Sequence, residues 1–452
     1  MKCQQFSIMF LYFALAMTCA RFVQAAETGS LRAGAARVDV TPTADAFPYA
    51  DKIQKPPFIG AHDPVFARAL VLDDGRTQVA IVVIDCTTIP KPKVFNHDLA
   101  KELGIPESNL LLAASHTHSS LMVYYQADLP MWADRQTEPE QAREIERIRR
   151  GAVEAVRQAK AQLRPARVAF ARGEAFLNVN NGGVTEPGDP HHMAALGDPN
   201  GPSDKSLDVL RVQGVDGTPI ALLLDYAVPS TVMLHAPSRD GYAEVSGDLF
   251  GVTAQLIEKA SSKAPVVLFA TGADGDQKPI FRWARPRVGD LPQADEGAAA
   301  WAILDVMAGS LANSVLAISE AMPEGTGSVE LSAAAKEVMC PGQKVRFDAK
   351  TGTSTTTDLP PVAIPLNVVR INDIGLVGVG GNVPTELGAK IKAASPYSKT
   401  TLIGDTSGAV GYILPDMAYV HPGHDLAGDP LKAGCAESAI LHGLSELRWA
   451  KP

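Results

Sequence analysis

The chain has 452 residues, of which 46% are hydrophobic and 20% are charged, and its formal net charge at neutral pH is -9. This length is enough for one large domain or two ordinary ones, and the composition is that of an ordinary soluble globular protein. An acidic surface does not attract nucleic acid or anionic lipid through bulk charge. We therefore expect no nucleic-acid partner and instead a small-molecule, lipid or glycan substrate.

Residues 1–26 have the layout of a secretory signal peptide. A lysine precedes an apolar run over residues 6–20, and small side chains follow at Ala25 and Ala26, after either of which cleavage is expected. The run is short for a membrane span, and no later stretch approaches about 18 uninterrupted apolar residues. The sequence therefore predicts a secreted or periplasmic protein with no integral membrane segment in its mature chain.

Strand-like apolar runs alternate with amphipathic helical stretches along the rest of the chain. The predicted strands cover residues 36–40, 66–72, 78–85, 109–115, 166–171, 208–212, 220–228, 265–271, 366–371 and 375–380. The predicted helices cover residues 138–162, 245–260, 294–321, 385–394 and 437–448. This mixture predicts an α/β fold of mixed sheets packed with helices, in a single large domain over residues 27–452. Two polar segments rich in glycine and proline, 180–206 and 339–361, are predicted to be long surface loops.

Five cysteines are present, of which Cys3 and Cys19 lie in the predicted leader. Export to an oxidising compartment would allow the other three to form one disulfide. Cys340 and Cys435 lie in the loop-like stretches VMCPGQ and KAGCAE, whereas Cys86 ends the apolar strand VAIVVIDC. We therefore expect Cys340 to pair with Cys435 and Cys86 to be buried, with three free thiols as the alternative.

The stretch LLLAASHTHSSL leads from an apolar strand directly into His116 and His118. Both histidines can reach one site, whether the strand continues through them or has already ended. Neutral imidazole is a common zinc ligand, so the pair indicates half of a metal centre or a catalytic site, with two structural histidines as the alternative. Asp85, at the end of another predicted strand, is expected to orient an imidazole.

A second junction between strand and loop lies in the stretch PVVLFATGADGDQKPIF. Gly272 and Gly275 are expected to let backbone amides approach a ligand, while Asp274, Asp276 and Lys278 place charge in the same loop. For this loop taken alone, a solvated turn is the alternative. Its occurrence together with the two histidines favours a functional site.

Several short motifs occur in an order that is typical of neutral, non-lysosomal ceramidases and their bacterial relatives. In chain order they are AGAARVDVTP, GAHDPVFARALVLDDG, SHTHS, SGDLFG, GADGDQKP, VPTELGAKIKAASP and SGAVGYILPDMAY. The chain resembles that family over residues 31–447. The resemblance implies an amidohydrolase formed by the family's catalytic domain, without the separate C-terminal immunoglobulin-like domain of true ceramidases.

The resemblance also implies a set of zinc ligands. These are the first histidine of His-Thr-His, a second histidine after a middle strand, a glutamate and a tyrosine near the C-terminus. His116 and Tyr412 match the first and last of these ligands, and His118 matches an active-site neighbour. Pro229 stands where relatives carry the second histidine, so His235 is the candidate to replace it.

Other positions differ from the family's pattern. Asn382 stands at the glutamate, Lys278 at the attacking serine, Asn181 at a substrate-binding arginine and His424 at a further tyrosine. Loss of an imidazole and a carboxylate lowers zinc affinity, and a nearby lysine repels a cation. Asn181, Asn382 and His424 are nevertheless expected to contact the substrate.

Three functions are compatible with these residues. The first is a zinc-dependent hydrolase of an amide- or ester-linked acyl or glycan substrate, with His116, His235 and Tyr412 as ligands and Asp276 as a base. The second is a metal-independent lyase or hydrolase of an acidic carbohydrate, and the third is an inactive binding protein. The second would use the set Lys278, His116, His118 and Tyr412 for proton transfer. Either enzyme requires these four side chains to share one cavity.

Overall fold

A computed structural model of the protein describes residues 29–49, 57–90, 92–120, 139–181, 197–234, 236, 242–260, 263–282, 296–348, 353–408, 410–415 and 430–447. The first strands of these ranges are β1 (Gly29–Ser30), β2 (Arg32–Asp39), β3 (Phe58–Ala61), β4 (Phe66–Asp73), β5 (Gln78–Ile84), β6 (Leu110–Ala114), β7 (Arg164–Glu174), β8 (Asn178–Asn180) and β9 (Ser206–Gly214). The later strands are β10 (Pro219–Tyr226), β11 (Ala243–Val245), β12 (Val266–Thr271), β13 (Gln277–Pro279), β14 (Ser328–Val329), β15 (Leu331–Asp348), β16 (Thr353–Ile371), β17 (Ile374–Val379) and β18 (Lys399–Ile403). The helices are α1 (Pro92–Leu103), α2 (Pro139–Ala161), α3 (Asp248–Lys259), α4 (Glu296–Ala321), α5 (Thr385–Ala394) and α6 (Ala436–Glu446).

Eight strands form one sheet in the order β12, β10, β9, β7, β2, β4, β5, β6. Neighbouring strands run antiparallel except for β10 with β12 and β5 with β6, which run parallel. The sheet divides between β2 and β7, which pair at Arg32 with Pro165 and at Ala33 with Arg164. Because β12 packs close to β4, β5 and β6, the two halves of the sheet face each other. The two edge strands, β6 and β12, thereby come close together.

Both faces of each half are buried, as the apolar strands predict. Alternate residues of a strand point to opposite faces, so Ile81 faces the core between the halves while Val82 faces outward. Helices α1 and α2 cover the outer face of the half that contains β4 to β6. Helices α3 and α4 cover the outer face of the half that contains β9, β10 and β12.

A second sheet has the order β15, β16, β17, β18, with β17 and β18 parallel. One of its faces contributes Ile371, Leu376 and Ile403 to the core between the halves of the first sheet. The other face packs against α5 and α6. The expected α/β architecture is confirmed, and every predicted strand and helix overlaps an observed one; α1 was not predicted.

The described residues of segment 339–361, which was predicted to be a loop, lie instead in the long paired strands β15 and β16. Its prolines suggested a loop because proline lacks a backbone N–H for a strand ladder. Pro341 is accommodated because β15 is an edge strand, and Pro360 and Pro361 of β16 lie opposite it, where the register shifts between Cys340 and Gly342. The other predicted loop, 180–206, lies mostly outside the described residues.

The expected disulfide is confirmed, since Cys340 in β15 is bonded to Cys435 immediately before α6. The two cysteines are 95 residues apart. Closing a loop of that length stabilises the folded state by about 4–5 kcal/mol in a chain-entropy account. Cys86 is a free, fully buried thiol, as expected.

Among the described helices, the Gly297–Ala321 portion of α4 is the one long and apolar enough to cross a membrane by length and composition. Trp301, Leu304 and Leu311 on this helix pack against the second half of the large sheet. A core helix of a soluble protein passes the same test of length and composition. The absence of an integral membrane segment therefore stays a prediction.

Candidate functional site

Three edge strands end at the same place in the molecule. β6, β12 and β18 are edge strands, and each runs parallel to its neighbour. His116 follows β6 by two residues, Asp274 follows β12 by three, and Asp405 follows β18 by two. Folding of the large sheet over itself therefore brings together three polar side chains from distant parts of the sequence.

Backbone hydrogen bonds hold the three strand ends against one another. The Gly404 amide after β18 donates to the Thr271 carbonyl at the end of β12, over 2.8 Å. The Ser407 amide donates to the Leu112 carbonyl in β6, over 2.7 Å. The loop after β18 is thus fixed between the loops after β6 and β12.

The backbone at this junction is strained. His116, Asp405 and Ser407 adopt φ angles of 58°, 46° and 58°, in the left-handed region. For residues other than glycine such a conformation costs on the order of 1–3 kcal/mol and persists where the surrounding structure enforces it. Such strain is concentrated at functional sites in proteins.

His116, Asp274 and Asp405 form what we call the ligand cluster. One ligand atom from each lies within 4.8 Å of the other two, and all three residues are buried. His116 Nδ1 forms an ion pair with Asp405 Oδ2. Asp274 Oδ2 and Asp405 Oδ1 are buried and accept no hydrogen bond from the described residues. Buried carboxylate oxygens without a donor are costly, and a divalent cation at the centre of the cluster would satisfy both. The cluster thus fits a metal ion.

Electrostatic interactions within the cluster also fit a cation. Burial lowers the pKa of His116, but the charge of Asp405 and its hydrogen bond to the ring, together with the charge of Asp274, outweigh burial and raise the pKa to about 9. Burial raises the pKa of the Asp274 carboxyl to about 6, an effect that His116 opposes and Asp405 reinforces. His116 therefore carries a proton at neutral pH, and a metal ion would take the place of that positive charge.

His118 and Asn382 extend the cluster. His118 Nε2 lies 3.1 Å from His116 Nε2, so the expectation that both imidazoles reach one site is met. Asn382 Nδ2 donates to Asp274 Oδ1 over 3.4 Å and to Asp405 Oδ2 over 3.2 Å. This amide links the two carboxylates, and its predicted contact with substrate stays a prediction.

Tyr412 is attached to the same region through its backbone. It forms a β-bridge with Asn382, whose backbone amide donates to the Gly411 carbonyl over 2.9 Å. The Ile413 amide donates to the Asn382 carbonyl over 3.0 Å. Tyr412 is 38% exposed, so this edge of the site is open to solvent. Its roles as ligand and as proton donor stay predictions.

Lys278 and Arg282 form what we call the basic pair. Lys278 lies in β13 and is 7% exposed. Arg282 Nε donates to the Thr231 carbonyl and its Nη2 to the Thr231 hydroxyl, each over 3.1 Å. Burial and the neighbouring charge of Arg282 lower the pKa of the Lys278 ammonium. Arg282 is a candidate site residue that the sequence analysis did not identify.

Asp276 has a structural role. Its Oδ1 accepts from the Thr385 amide over 3.0 Å and from the Thr385 hydroxyl over 2.7 Å, which anchors the start of α5. Its Oδ2 accepts from Asn180 Nδ2 over 3.2 Å. Asn181 is exposed, and its backbone amide donates to the Asp276 carbonyl over 2.8 Å. The proposed base function of Asp276 and substrate contact of Asn181 stay predictions.

The backbone amides of the two loop glycines form hydrogen bonds within the chain, and an approach of this loop to a ligand stays a prediction. The Gly272 amide donates to the Tyr226 carbonyl over 3.0 Å, and the Gly275 amide donates to the Val383 carbonyl over 2.9 Å. A Cβ atom on Gly275 would lie 2.6 Å from the Asn382 carbonyl oxygen. These glycines therefore allow the loop to pack closely against other backbone.

Asp85 contacts no imidazole among the described residues, so the expectation that it orients one is wrong. Asp85 Oδ2 accepts from Arg68 Nη1 over 2.6 Å and from the Phe66 amide over 2.9 Å. The carboxylate of Asp85 is thus paired with the buried Arg68, and it is Asp405 that is paired with His116. The proposed ligand His235 and substrate-binding residue His424 lie outside the described residues.

Asp405 was not identified from the sequence, although a signal was present. The stretch TTLIGDTSG carries an apolar strand into a glycine and an aspartate, the same pattern that drew attention to Asp274. Asp248 is a further buried residue of the site. It accepts hydrogen bonds from the Val232 and Met233 amides and from the Ser119 hydroxyl, and so joins the loop of His118 to the turn that binds Arg282.

Comparisons with known proteins give a consistent assignment. The family model described as neutral/alkaline non-lysosomal ceramidase, N-terminal, matches residues 31–300. Neutral ceramidase B of Dictyostelium discoideum is 27% identical over 243 residues, which cover 49% of this chain and 32% of that protein. Neutral ceramidase A of the same organism is 26% identical over 244 residues, with the same coverages. The matched segment thus spans about a third of each of these curated relatives.

A crystal structure of neutral ceramidase from Pseudomonas aeruginosa superposes with a TM-score of 0.71 at 17% identity, covering 93% of this chain and 74% of that one. A structure of ceramidase complexed with C2 gives a TM-score of 0.69, also at 17% identity, over 92% of this chain and 74% of that one. These similarities confirm the fold. Because the family model matches more than half of the residues, the chain belongs to the neutral/alkaline non-lysosomal ceramidase family.

Proposed function

We propose that this protein is an exported, zinc-dependent hydrolase of amide- or ester-linked acyl substrates. The observation that carries the proposal is the buried cluster of His116, Asp274 and Asp405, in which two carboxylate oxygens have no described hydrogen-bond donor. Relatives that are named neutral ceramidases support an acyl-amide substrate. The contacts and the comparisons give no support to the metal-independent alternative.

The ligand cluster would hold the metal through one imidazole and two carboxylates. This donor set is compatible with a catalytic zinc site, in which three protein ligands leave a position for substrate or water. Bound zinc would supply Lewis acidity at the scissile carbonyl. Asn382 would keep the carboxylates of Asp274 and Asp405 in place through its two hydrogen bonds. His235 and Tyr412 stay predictions as further ligands.

His118 is the residue that would move protons. Its ring is partly buried, and its Nε2 lies 3.1 Å from the Nε2 of His116. Imidazole is the side chain best suited to general acid and base catalysis near neutral pH. When His116 binds the metal as a neutral ring, His118 would accept a proton from the attacking water and deliver it to the leaving amine or alkoxide.

Metal content and amide hydrolysis test this proposal in the same preparations. Purified protein should contain one zinc per chain and hydrolyse N-octanoyl amides, with activity lost on chelation and restored by zinc. His116→Ala and Asp405→Asn should lose zinc and activity, whereas Asp373→Asn, a matched change at an aspartate paired with surface Lys399, should keep both. Full activity after chelation, or full zinc content in Asp405→Asn, would show that the cluster is not the catalytic centre.

Export has its own test. Expression of the full chain in a host with a secretory pathway should give a product whose N-terminal sequence begins after Ala25 or Ala26. Recovery of protein that still carries residues 1–26 from the host cytoplasm, with none exported, would contradict this part of the proposal.

A further inference from the structure

A cavity of about 590 Å³ lies between α1 and the paired strands β15 and β16. This volume is typical of sites that bind small molecules, whereas one water molecule occupies only roughly 30 Å³. Ser407 and Gly408, in the loop that carries Asp405, form part of its wall. The described residues that line the cavity include no member of the ligand cluster. The cavity is therefore distinct from the proposed metal site.

One wall of the cavity continues a sheet face that is buried elsewhere. Alternate residues of a strand point to the same face, and Val369 and Ile371 of β16 bury that face in the core between the halves of the large sheet. Asn367, Pro365 and Ala363 precede them on the same face, and all three line the cavity. A largely apolar sheet face thus extends from the core into the cavity, where α1 lies opposite it.

Two asparagine side chains in the wall contain buried oxygens that have no described donor. Asn367 is 4% exposed, and its Oδ1 accepts no hydrogen bond from the described residues. The Oδ1 of Asn96 in α1 also lacks a described donor, while its Nδ2 donates to the Ser407 carbonyl over 3.2 Å. Burial of a carbonyl oxygen without a partner is unfavourable. A ligand with hydrogen-bonding groups in the cavity would provide that partner.

The charged side chains that line the cavity are already paired with opposite charges. Lys93 Nζ lies 3.4 Å from Glu337 Oε2, and His97 Nδ1 lies 2.7 Å from Glu107 Oε1. The other basic side chain of the wall, Lys336, is also paired with a glutamate. A ligand with a net charge would therefore compete with these pairs or lose its hydration without compensation. The wall favours a neutral ligand.

We propose that this cavity binds a neutral, hydroxyl-bearing amphiphile, such as an alkyl glycoside, through the carboxamides of Asn96 and Asn367. A hydroxyl group both donates and accepts, so it can pair with the oxygen or the nitrogen of a carboxamide, whichever a half-turn of the side chain presents. The alkyl part would pack against Ala363, Pro365 and Val410, which line the same cavity. This site does not depend on the proposed hydrolase function.

Calorimetric titration of the purified protein with n-hexyl glucoside tests the inference. We expect saturable binding of one molecule per chain, which should be kept after removal of metal because no residue of the ligand cluster lines the cavity. Hexanoate and hexylammonium carry a similar chain on a charged head group, and each should bind at least about 10-fold more weakly. The absence of saturable binding of hexyl glucoside, or equal or tighter binding of either ion, would overturn the inference.

Asn367→Leu tests the role of the buried carboxamide. Leucine has a similar size but no polar group, so binding of hexyl glucoside should weaken by about 10-fold or more. The free energy of unfolding without ligand should not fall, because the change removes a buried oxygen that has no described donor. Asn200→Leu, at an exposed turn outside the cavity, should leave binding unchanged. Lower stability with unchanged binding in Asn367→Leu would show that this carboxamide has a structural role only, and would refute the inference.

Ala363→Phe tests the cavity itself and decides the matter if Asn367→Leu does not fold. Ala363 is half-buried in the wall, so a phenyl group there should occupy the space of the ligand and weaken binding by more than about 10-fold. The matched control is Ala161→Phe, at the exposed end of α2, which should bind as the wild type does. Binding of wild-type strength in Ala363→Phe would mean that hexyl glucoside binds elsewhere.

Discussion

The ligand cluster and the basic pair are neighbouring parts of one candidate site with opposite electrostatic needs. The ligand cluster contains two buried carboxylate oxygens, one each on Asp274 and Asp405, that have no donor among the described residues, whereas Lys278 and Arg282 carry donors and positive charge. The cluster is assembled from three separate strand ends, whereas the pair comes from one short stretch of chain, with Lys278 in β13 and Arg282 shortly after it. This difference indicates that the ligand cluster is suited to a cation, whereas the surroundings of the basic pair are not.

The largest effect is expected from removing one ligand of the cluster. Asp274→Asn keeps the shape of the side chain but removes its charge, so we expect zinc affinity to fall by more than about 100-fold, and hydrolysis with it. Asp276→Asn, two residues further along the same loop, should keep its zinc because Asp276 bonds the start of α5. Zinc titration with a competing chelator measures both. Equal losses of zinc would mean that the loop, and not Asp274 itself, holds the metal.

Asp248 connects the loop that carries His118 to the turn that binds Arg282, and its loss should lower the free energy of unfolding. Asp248→Ala would leave the Val232, Met233 and Leu249 amides without their acceptor, and we expect the free energy of unfolding to fall by about 2–4 kcal/mol. Urea denaturation of the metal-free protein measures this change.

The control for this change is Asp216→Ala, which removes an exposed turn carboxylate bonded to Thr218. It should change the unfolding free energy by less than about 0.5 kcal/mol. Similar losses in the two variants would contradict the linking role of Asp248.

In the metal-free protein, we expect the stability to depend on pH through His116 of the ligand cluster. The pKa of His116 is raised from its ordinary value of 6.5 to about 9, so its protonation stabilises the fold fully below pH 6.5 and progressively less up to about pH 9. Chelated wild-type protein should therefore lose stability over this interval by more than His116→Gln does. Thermal unfolding midpoints at pH 6.5 and 9 provide the measurement. A parallel dependence in both proteins would exclude His116 as its source.

The smallest effect is expected at Gly197, beside the basic pair. Gly197 has a φ of 76°, and an alanine there would both strain the backbone by about 1 kcal/mol and displace Lys278. We expect zinc content to be kept and the free energy of unfolding, measured by urea denaturation, to fall by more than it does in Gly217→Ala. Gly217→Ala is the matched control, since Gly217 has a φ of 81° and open space around its Cβ. Equal losses in Gly197→Ala and Gly217→Ala would show that the close approach of Lys278 does not constrain this position.

Several features were predictable from short stretches of sequence because short-range physics determines them. The buried strands β5, β6, β10 and β12 are continuous apolar runs, and such runs are stable where both faces of a sheet are covered. Proline and glycine misled the prediction over 339–361, because they are acceptable at an edge strand with a register shift, a context that a local stretch does not reveal.

The sequence alone determined the alternation of strands and helices, the family order of motifs, and the placement of His116 and Asp274 just after apolar strands, and it left the pairing of Cys340 with Cys435 as one of two alternatives. The tertiary structure decided which of these residues meet. Asp405 reaches His116 because the large sheet folds over between β2 and β7 and the edge of the second sheet inserts its loop there. Such contacts join residues nearly 300 positions apart, and their geometry depends on packing of whole sheets, which no local pattern of residues specifies.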